Sequence, residues 1–140
     1  MKPHILVPYD FSQAAERALA WATDYHRVAG GTLHVVHVVH APPSPVVAMP
    51  RAGGASAEDI ARSSLELAHV LRERHIDATH ETLLSASASV AVLDAAVARK
   101  STLIVMGTQG HGGLERLALG SLADYLVRNA PCPVLTMRAR

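Results

Sequence analysis

The residues best placed to do chemistry in this chain are Gly107, Gly110, Gly112, Gly113 and Gly120, five glycines in a fourteen-residue window closed by Ser121. A phosphate cradle needs backbone N–H groups turned inward and no side chain in the ligand's path, and glycine meets both conditions. Gly120-Ser121 opens a helical stretch, where unpaired first-turn N–H groups and the helix dipole favour an anion. The Ser121 hydroxyl would add a donor, and a Cβ branch at Gly120 would be expected to block phosphate approach. The window contains no lysine, and no G-x-x-x-x-G-K-[ST] motif occurs. No G-x-G-x-x-G follows the first apolar stretch, and Gly110-His111-Gly112-Gly113 comes too late for a dinucleotide fingerprint. A phosphate site built from backbone accounts for the cluster better than a set of unrelated tight turns.

The elements that must position this loop follow from hydrophobic spacing. Ile5-Leu6-Val7 is a short buried strand ended by Pro8 and Asp10. Asp10 and Ser12 are both candidate N-caps for a helix carrying Ala15, Ala18, Leu19, Ala22 and His26, stopped by Gly30-Gly31. Thr32 to Val39 reads as a strand covered on both faces. Residues 41–55, with four prolines and two glycines, form the one long surface connection. Ser56 with Asp59 resembles a capping box, and Ile60, Ser64, Leu67, Ala68 and Leu71 give the helix that follows an apolar face. Asp77 to Leu84 fits an edge strand. Ser87 or Ser89 caps a third helix through Val92, Leu93, Ala96 and Val97, and Leu103-Ile104-Val105-Met106 is a buried strand running into Gly107. A helix from about Ser121 to Asn129 and a last strand in Pro133 to Met137 complete the chain. The alternation β-α-β-α-β-α-β-α-β predicts a single-domain α/β fold over residues 1–140: a doubly wound, five-stranded parallel sheet with helices on both faces. Ligands of such sheets sit beyond the carboxyl ends of the strands, where strand order reverses. Pro8-Tyr9-Asp10, Val38-Val39-His40 and Gly107 all fall there.

Bulk properties exclude several classes. Thirteen basic residues are scattered among twelve acidic ones in 140 residues, leaving no basic stripe for nucleic acid or an anionic membrane. No apolar run approaches the ~20 residues of a membrane span, and the start of the chain is not that of a signal peptide. One cysteine, Cys132, excludes an internal disulfide and fits a reducing compartment, so a cytoplasmic location is expected. Between two prolines it reads as a buried structural thiol. Nine histidines raise a metal hypothesis. Alternation, however, puts His34 and His40 on one face of their strand and His37 on the other, with no cysteine pair to complete a ligand set. Asp10 could act as a base, but nothing near the loop resembles a positioned nucleophile–base pair.

Gly107-x-x-Gly110, nine residues, then Gly120-Ser121 matches the G-2x-G-9x-G-[S/T] signature of the ATP-binding branch of the universal stress protein family. The chain resembles that family along nearly its whole length. The resemblance extends to Ile5-Leu6-Val7-Pro8-Tyr9-Asp10-Phe11-Ser12, His37-Val38-Val39, Ile104-Val105-Met106-Gly107-Thr108 and Ala130-Pro131-Cys132-Pro133-Val134-Leu135. It implies a domain of the adenine-nucleotide alpha-hydrolase-like type that binds ATP between the ends of the first and fourth strands. Asp10 would contact the adenosine, Pro8 and Tyr9 would line the pocket, and Val38 would meet the adenine. Met106 and Gly107 would lie under ribose and phosphates. Gly110, Gly120, Ser121 and Leu122 would hold the phosphates, largely through backbone N–H groups, with His111 in the same loop. Mg²⁺ would arrive with the phosphates. A homodimer paired through the last strand, Val134 to Met137, is implied too, and an apolar strand at a sheet edge invites such pairing on its own account. The chain departs from the family pattern at Ala86-Ser87-Ala88 and Thr102.

The function expected is a nucleotide-dependent stress-response or signalling module. The alternatives are a slow ATPase or nucleotide phosphotransferase, and a binder of AMP or cyclic AMP.

Overall fold

The computed structural model describes residues 1–41, 56–109 and 119–140. Gly110, His111, Gly112 and Gly113, and all but the first residue of the proline-rich stretch, lie outside the described residues. The elements are β1 (His4–Pro8), α1 (Gln13–Ala29), β2 (Thr32–His40), α2 (Ala57–Glu73), β3 (Thr79–Ser85), α3 (Ala88–Ala98), β4 (Leu103–Gly107), α4 (Ser121–Asn129) and β5 (Val134–Met137). The five strands pair in parallel in the order β3-β2-β1-β4-β5. The chain first builds outward from β1 through β2 to β3, then returns to the other side of β1. The order therefore reverses between β1 and β4, the two strand ends between which the family resemblance implies the ligand site.

Strand periodicity divides the core into two layers. Ile5, Val7, Leu33, Val35 and Val105 turn one way, against Ala15, Ala18, Leu19 and Ala22 of α1 and Leu67 and Leu71 of α2. Leu6, Val36, Ile104 and Met106 turn the other way, against Val92, Ala95 and Ala96 of α3 and Ala123 and Leu126 of α4. The caps resolve the choices left open by sequence. Ser12 caps α1, its hydroxyl accepting from the Ala15 N–H at 3.2 Å. Asp10 instead accepts from the Ser12 N–H at 3.0 Å. Ser56 and Asp59 form the reciprocal capping box on α2, and Ser87 caps α3. Thr102 exchanges bonds with His4: its N–H donates to the His4 carbonyl, and its hydroxyl accepts from the His4 N–H, both at 2.8 Å.

Several strand boundaries differ from the expected ones by a residue or two, and two of the shifts have a visible cause. β2 runs one residue further, to His40, because β3 continues beside it and His40 pairs with Ser85. β3 starts at Thr79 instead of Asp77: α2 ends in a turn with His75 at φ 51°, and ladder pairing to β2 begins only at Thr79. β3 is an edge strand, as expected. Cys132 is half-buried against the second core layer, and burial pushes its thiol pKa up.

His34 is the buried ionisable group of the sheet, at 4% exposure. Its ring nitrogens meet the Thr79 hydroxyl at 2.7 Å and a Glu81 carboxylate oxygen at 2.9 Å. Burial lowers its pKa, outweighing the upward pull of the Glu81 bond. Unfolded histidine protonates near pH ~6.5. Below that point the unfolded chain binds more protons than the folded one, so stability falls as pH falls. The expected outcome is a lower unfolding midpoint at about pH 5.5 than at about 7.5, with a smaller drop in His34→Gln, read by thermal denaturation. An equal drop in both proteins would show that His34 is not responsible.

Candidate functional site

A cleft of about 670 Å³ opens at the carboxyl ends of β1, β2 and β4, at the point of strand reversal. Pro8, Tyr9, Asp10, Val38, Met106, Gly107, Gly120, Ser121 and Leu122 all line it. The fold thus brings together every expected site residue that falls within the described residues. Gly110 and His111 do not fall within them. A second cavity, of about 580 Å³, lies at the opposite end of the sheet around His34, Thr79 and Arg99. His4, Thr32, His26, His34, Thr79 and Arg99 around it are engaged with one another, with Glu81 or with the backbone, and the chemistry-bearing loop is at the other end.

The first wall is the β1–α1 turn. Asp10 accepts from Ser12 and Ser12 accepts from Ala15, while Phe11 between them sits in the left-handed region at φ 63°. A non-glycine residue there carries backbone strain and needs surrounding structure to hold it. Its ring contacts Tyr9 and His37 edge-on, at centroid distances of 4.9 and 5.1 Å. His37 in turn bonds the Tyr9 carbonyl at 2.8 Å. The turn directs Asp10 to the cleft while the helix begins at the next cap.

Beneath that wall, Tyr9 is 2% exposed, and its hydroxyl donates to Glu16, which also accepts from Arg74 at the end of α2. Burial, reinforced by the Glu16 bond, raises the tyrosine pKa far above its ordinary value. Burial pulls Glu16 upward too, but the bonds from Arg74 and Tyr9 outweigh it and hold the carboxyl below the usual range. Tyr9 therefore lines the cleft with its ring turned into the core and its hydroxyl committed.

The second wall is the end of β2. The Tyr9 N–H donates to the Val36 carbonyl at 2.8 Å, so the Val36 backbone groups face β1. Two residues on, those of Val38 face the same way. The β1 ladder stops at Pro8 opposite Val36, so the Val38 N–H and C=O project past it into the cleft.

The third wall joins β4 to α4. The Thr108 N–H donates to the Met137 carbonyl at 2.8 Å, and its own carbonyl accepts from the Gly120 N–H at 2.7 Å. That bond ties the two ends of the glycine loop together. It also changes the reading of Gly120, whose N–H serves this clamp. A Cβ there would stand 3.1 Å from the Thr108 carbonyl oxygen and 3.4 Å from the Gln109 Cα, so it would press on the loop backbone before it met a ligand. A branch at Gly120 would therefore strain the loop backbone in addition to any effect on phosphate approach. α4 has no side-chain N-cap bond, and the first-turn N–H groups of Ser121, Leu122 and Ala123 cannot find a partner four residues back. Among the described residues, those groups are the candidate anion donors at this wall.

Gly107 is constrained from outside the cleft. A Cβ there would lie 2.7 Å from the Ala14 Cβ and 3.0 Å from the Ala14 carbonyl carbon. No local cue shows that Ala14 sits against this glycine, nor that Glu16 and Arg74 brace Tyr9, since these partners lie on other elements. Ser12, His37, Thr108 and Gln109 also line the cleft, and proximity to Asp10, Val38 and Gly107 along the chain is the cue that could have found them. Among the described residues no group of three His, Cys, Asp or Glu could hold a metal ion, and no helix is long and apolar enough to cross a membrane.

A doubly wound parallel sheet with a backbone-rimmed cleft at its reversal point defines an open α/β domain. Residues 1–138 match the Universal stress protein family, and the chain belongs to that family. It is 36% identical to a universal stress protein of Thermus aquaticus, over 96% of this chain and 97% of that one. Its fold is similar to that of the universal stress protein UspA from Lactobacillus plantarum, at TM-score 0.68 and 30% identity over 96% of each chain. A universal stress protein from Archaeoglobus fulgidus, solved in complex with dAMP, is similar at TM-score 0.68 and 25% identity over 98% of each chain.

The Gly107–Ala14 approach yields a direct test. Gly107→Ala must push α1 away from β4, and overpacking of this kind costs about 1–3 kcal/mol. Urea denaturation should show that loss, with the unfolding slope unchanged. A variant as stable as wild type would mean that α1 moves freely and that the close approach constrains nothing.

Proposed function

We propose that this chain is an adenine-nucleotide-binding universal stress protein that takes ATP in the switch-point cleft and acts as a nucleotide-dependent stress-response or signalling module. The observation that carries this reading is the pairing of two backbone donor sets across one cleft: the outward N–H and C=O of Val38, and the uncapped first turn of α4. An adjacent N–H and C=O suit the edge of adenine, which offers a ring nitrogen as acceptor and an amine as donor. Guanine presents the opposite pattern and would set donor against donor. The Asp10 carboxylate, at the cleft mouth, is positioned to accept from ribose hydroxyls. Met106 and Gly107 form the floor between sugar and phosphates.

Phosphates extend from there to Ser121 and Leu122, with Gly110 and His111 assigned to the same loop. The dAMP complex of the Archaeoglobus relative supports the nucleoside end of this reading. No lysine stands in the loop between Gly107 and Ser121, so charge neutralisation falls largely to the helix N-terminus and to a Mg²⁺ carried in on the phosphates. A site of this kind is suited to holding ATP, and among the described residues it presents no positioned nucleophile–base pair to split it quickly. The outer edge of β5 is free of any strand neighbour in the sheet, and we assign to it an antiparallel homodimer contact through Val134 to Met137. The module works in the cytoplasm.

Ser121→Asp separates the phosphate assignment from the fold. Ser121 is exposed at the first position of α4, where an acidic residue interacts favourably with the helix dipole by about 0.3–1 kcal/mol. The same carboxylate repels phosphate. Calorimetric titration should show ATP binding weakened at least about tenfold, AMP weakened less and adenosine unchanged, in a protein no less stable than wild type. Undiminished ATP affinity would remove the phosphates from the α4 N-terminus. Binding of AMP or cyclic AMP tighter than ATP in the wild type would favour those ligands, and turnover of several per second would favour an ATPase.

A further inference from the structure

Trp21 and Tyr25 on α1 stack on one another, ring centroids 5.2 Å apart and planes 20° from parallel, yet remain 37% and 38% exposed. Trp21 is the chain's single tryptophan. The side of α1 that carries the pair can be fixed. Glu16 and Thr23 lie on the flank towards α2, since Glu16 bonds Arg74. Trp21 and Tyr25 lie on the opposite flank, about 140–200° around the helix from them at ~100° per residue. That flank overhangs β5, because Arg17, one turn before Trp21, donates to the Arg138 carbonyl at 2.9 Å.

The same bond shows which backbone groups of β5 face outward. The Pro133 and Met137 carbonyls accept from Ile104 and Thr108 on the β4 side. Alternation then turns the N–H and C=O groups of Val134 and Thr136 away from the sheet. Arg17 occupies the outward carbonyl of Arg138 and closes the edge at that end. The heights agree as well. α1 descends about 6 Å from Arg17 to Trp21 and about 6 Å more to Tyr25, while the strand descends about 6.6 Å from Arg138 to Thr136 and as much again to Val134. The aromatic pair therefore stands level with Thr136 and Val134, over the exposed edge.

We propose that the Trp21–Tyr25 stack is the second half of a contact with another copy of this chain, packing against the same stack of the partner above the paired β5 edges. This rests on the β5 pairing assigned under Proposed function. Antiparallel self-pairing of an edge strand has its two-fold axis normal to the sheet, so both α1 helices lie on the same side and meet at the seam. β5 has four residues, of which only Val134 and Thr136 offer outward backbone groups. A contact that short falls well below the ~1,200 Å² typical of a stable interface. Two large aromatic side chains per copy, each able to bury ~150–250 Å², add apolar area where the strands leave it short. Leu135 and Met137, half-buried on the α1 face of β5, continue the same surface beneath them.

Sedimentation velocity across a dilution series, with the emission of Trp21 followed in parallel, tests the proposal on the full chain. The expected result is a dimer whose tryptophan emission shifts to the red on dissociation. Tyr25→Ser keeps the fluorophore and should raise the dimer dissociation constant at least about tenfold, the loss of ~1.4 kcal/mol. Thr136→Lys, which sets like charges across the seam, should dissociate the dimer independently. A dimer that Thr136→Lys disrupts but Tyr25→Ser and Trp21→Ser leave intact, with emission insensitive to dilution, would overturn the aromatic contact and spare the strand pairing. A wild-type monomer at every concentration would overturn both.

Discussion

The close seating of α1 on the end of β4 is the constraint on which the site depends. The face of α1 turned to the sheet is mostly alanine, with Ala14, Ala15, Ala18 and Ala22 buried, so the helix axis can approach the strands closely. At its nearest point the sheet answers with Gly107, where even a methyl group would collide with Ala14. This brings the start of α1, with Asp10 and Ser12 just before it, directly beside the end of β4. Were α1 carried on larger side chains, Asp10 would rise away from Gly107 and the two walls of the cleft would part. The glycine at the head of the phosphate signature is thus demanded first by helix–sheet packing. Any use by a ligand is added to a position that the fold already requires.

The constraint holds because α1 is fixed at its start by independent devices. Ser12 caps it, Asp10 braces Ser12, and Glu16 ties its first turn both to Tyr9 below and to Arg74 of the neighbouring helix. The left-handed Phe11 is the cost of making the turn so tight, and its ring contacts with Tyr9 and His37 help to hold it. His37 completes the arrangement by bonding the Tyr9 carbonyl from β2. The β1 and β2 walls are therefore cross-linked one residue from Val38, whose backbone groups must hold a constant direction if they are to read a base.

Much of the fold was legible because its signals are local and repeated. Apolar strands alternating with helices dictate the parallel sheet, whereas the reversal between β1 and β4 was legible only through the family resemblance. Ser56 with Asp59 announced its capping box within four residues. The site was legible where ligand-facing residues share a short segment, as in Pro8-Tyr9-Asp10 and Gly120-Ser121. What could not be read were dependencies between segments. Nothing in the sequence near Gly107 names Ala14 as its steric partner, and Gly120 looks like a ligand glycine until the Thr108 carbonyl is seen against it. His34 showed the same limit: strand alternation gave its face correctly, but its partners Thr79 and Glu81 are more than forty residues away. Spacing can place a side chain on a face. It does not say what stands opposite.

The Thr108 clamp has a further consequence for how the glycine loop can work. With the Thr108 carbonyl accepting from Gly120, and the Thr108 N–H donating to the end of β5, the two ends of the loop are fixed before any ligand arrives. The first turn of α4 is therefore oriented in advance, and its N–H groups lose little freedom when an anion binds them. The clamp also runs straight from the cleft to Met137 on the outer strand. Thr108 thus gives its carbonyl to Gly120 and its N–H to Met137, so a single residue joins the rim of the cleft to the last rung of the β4–β5 ladder.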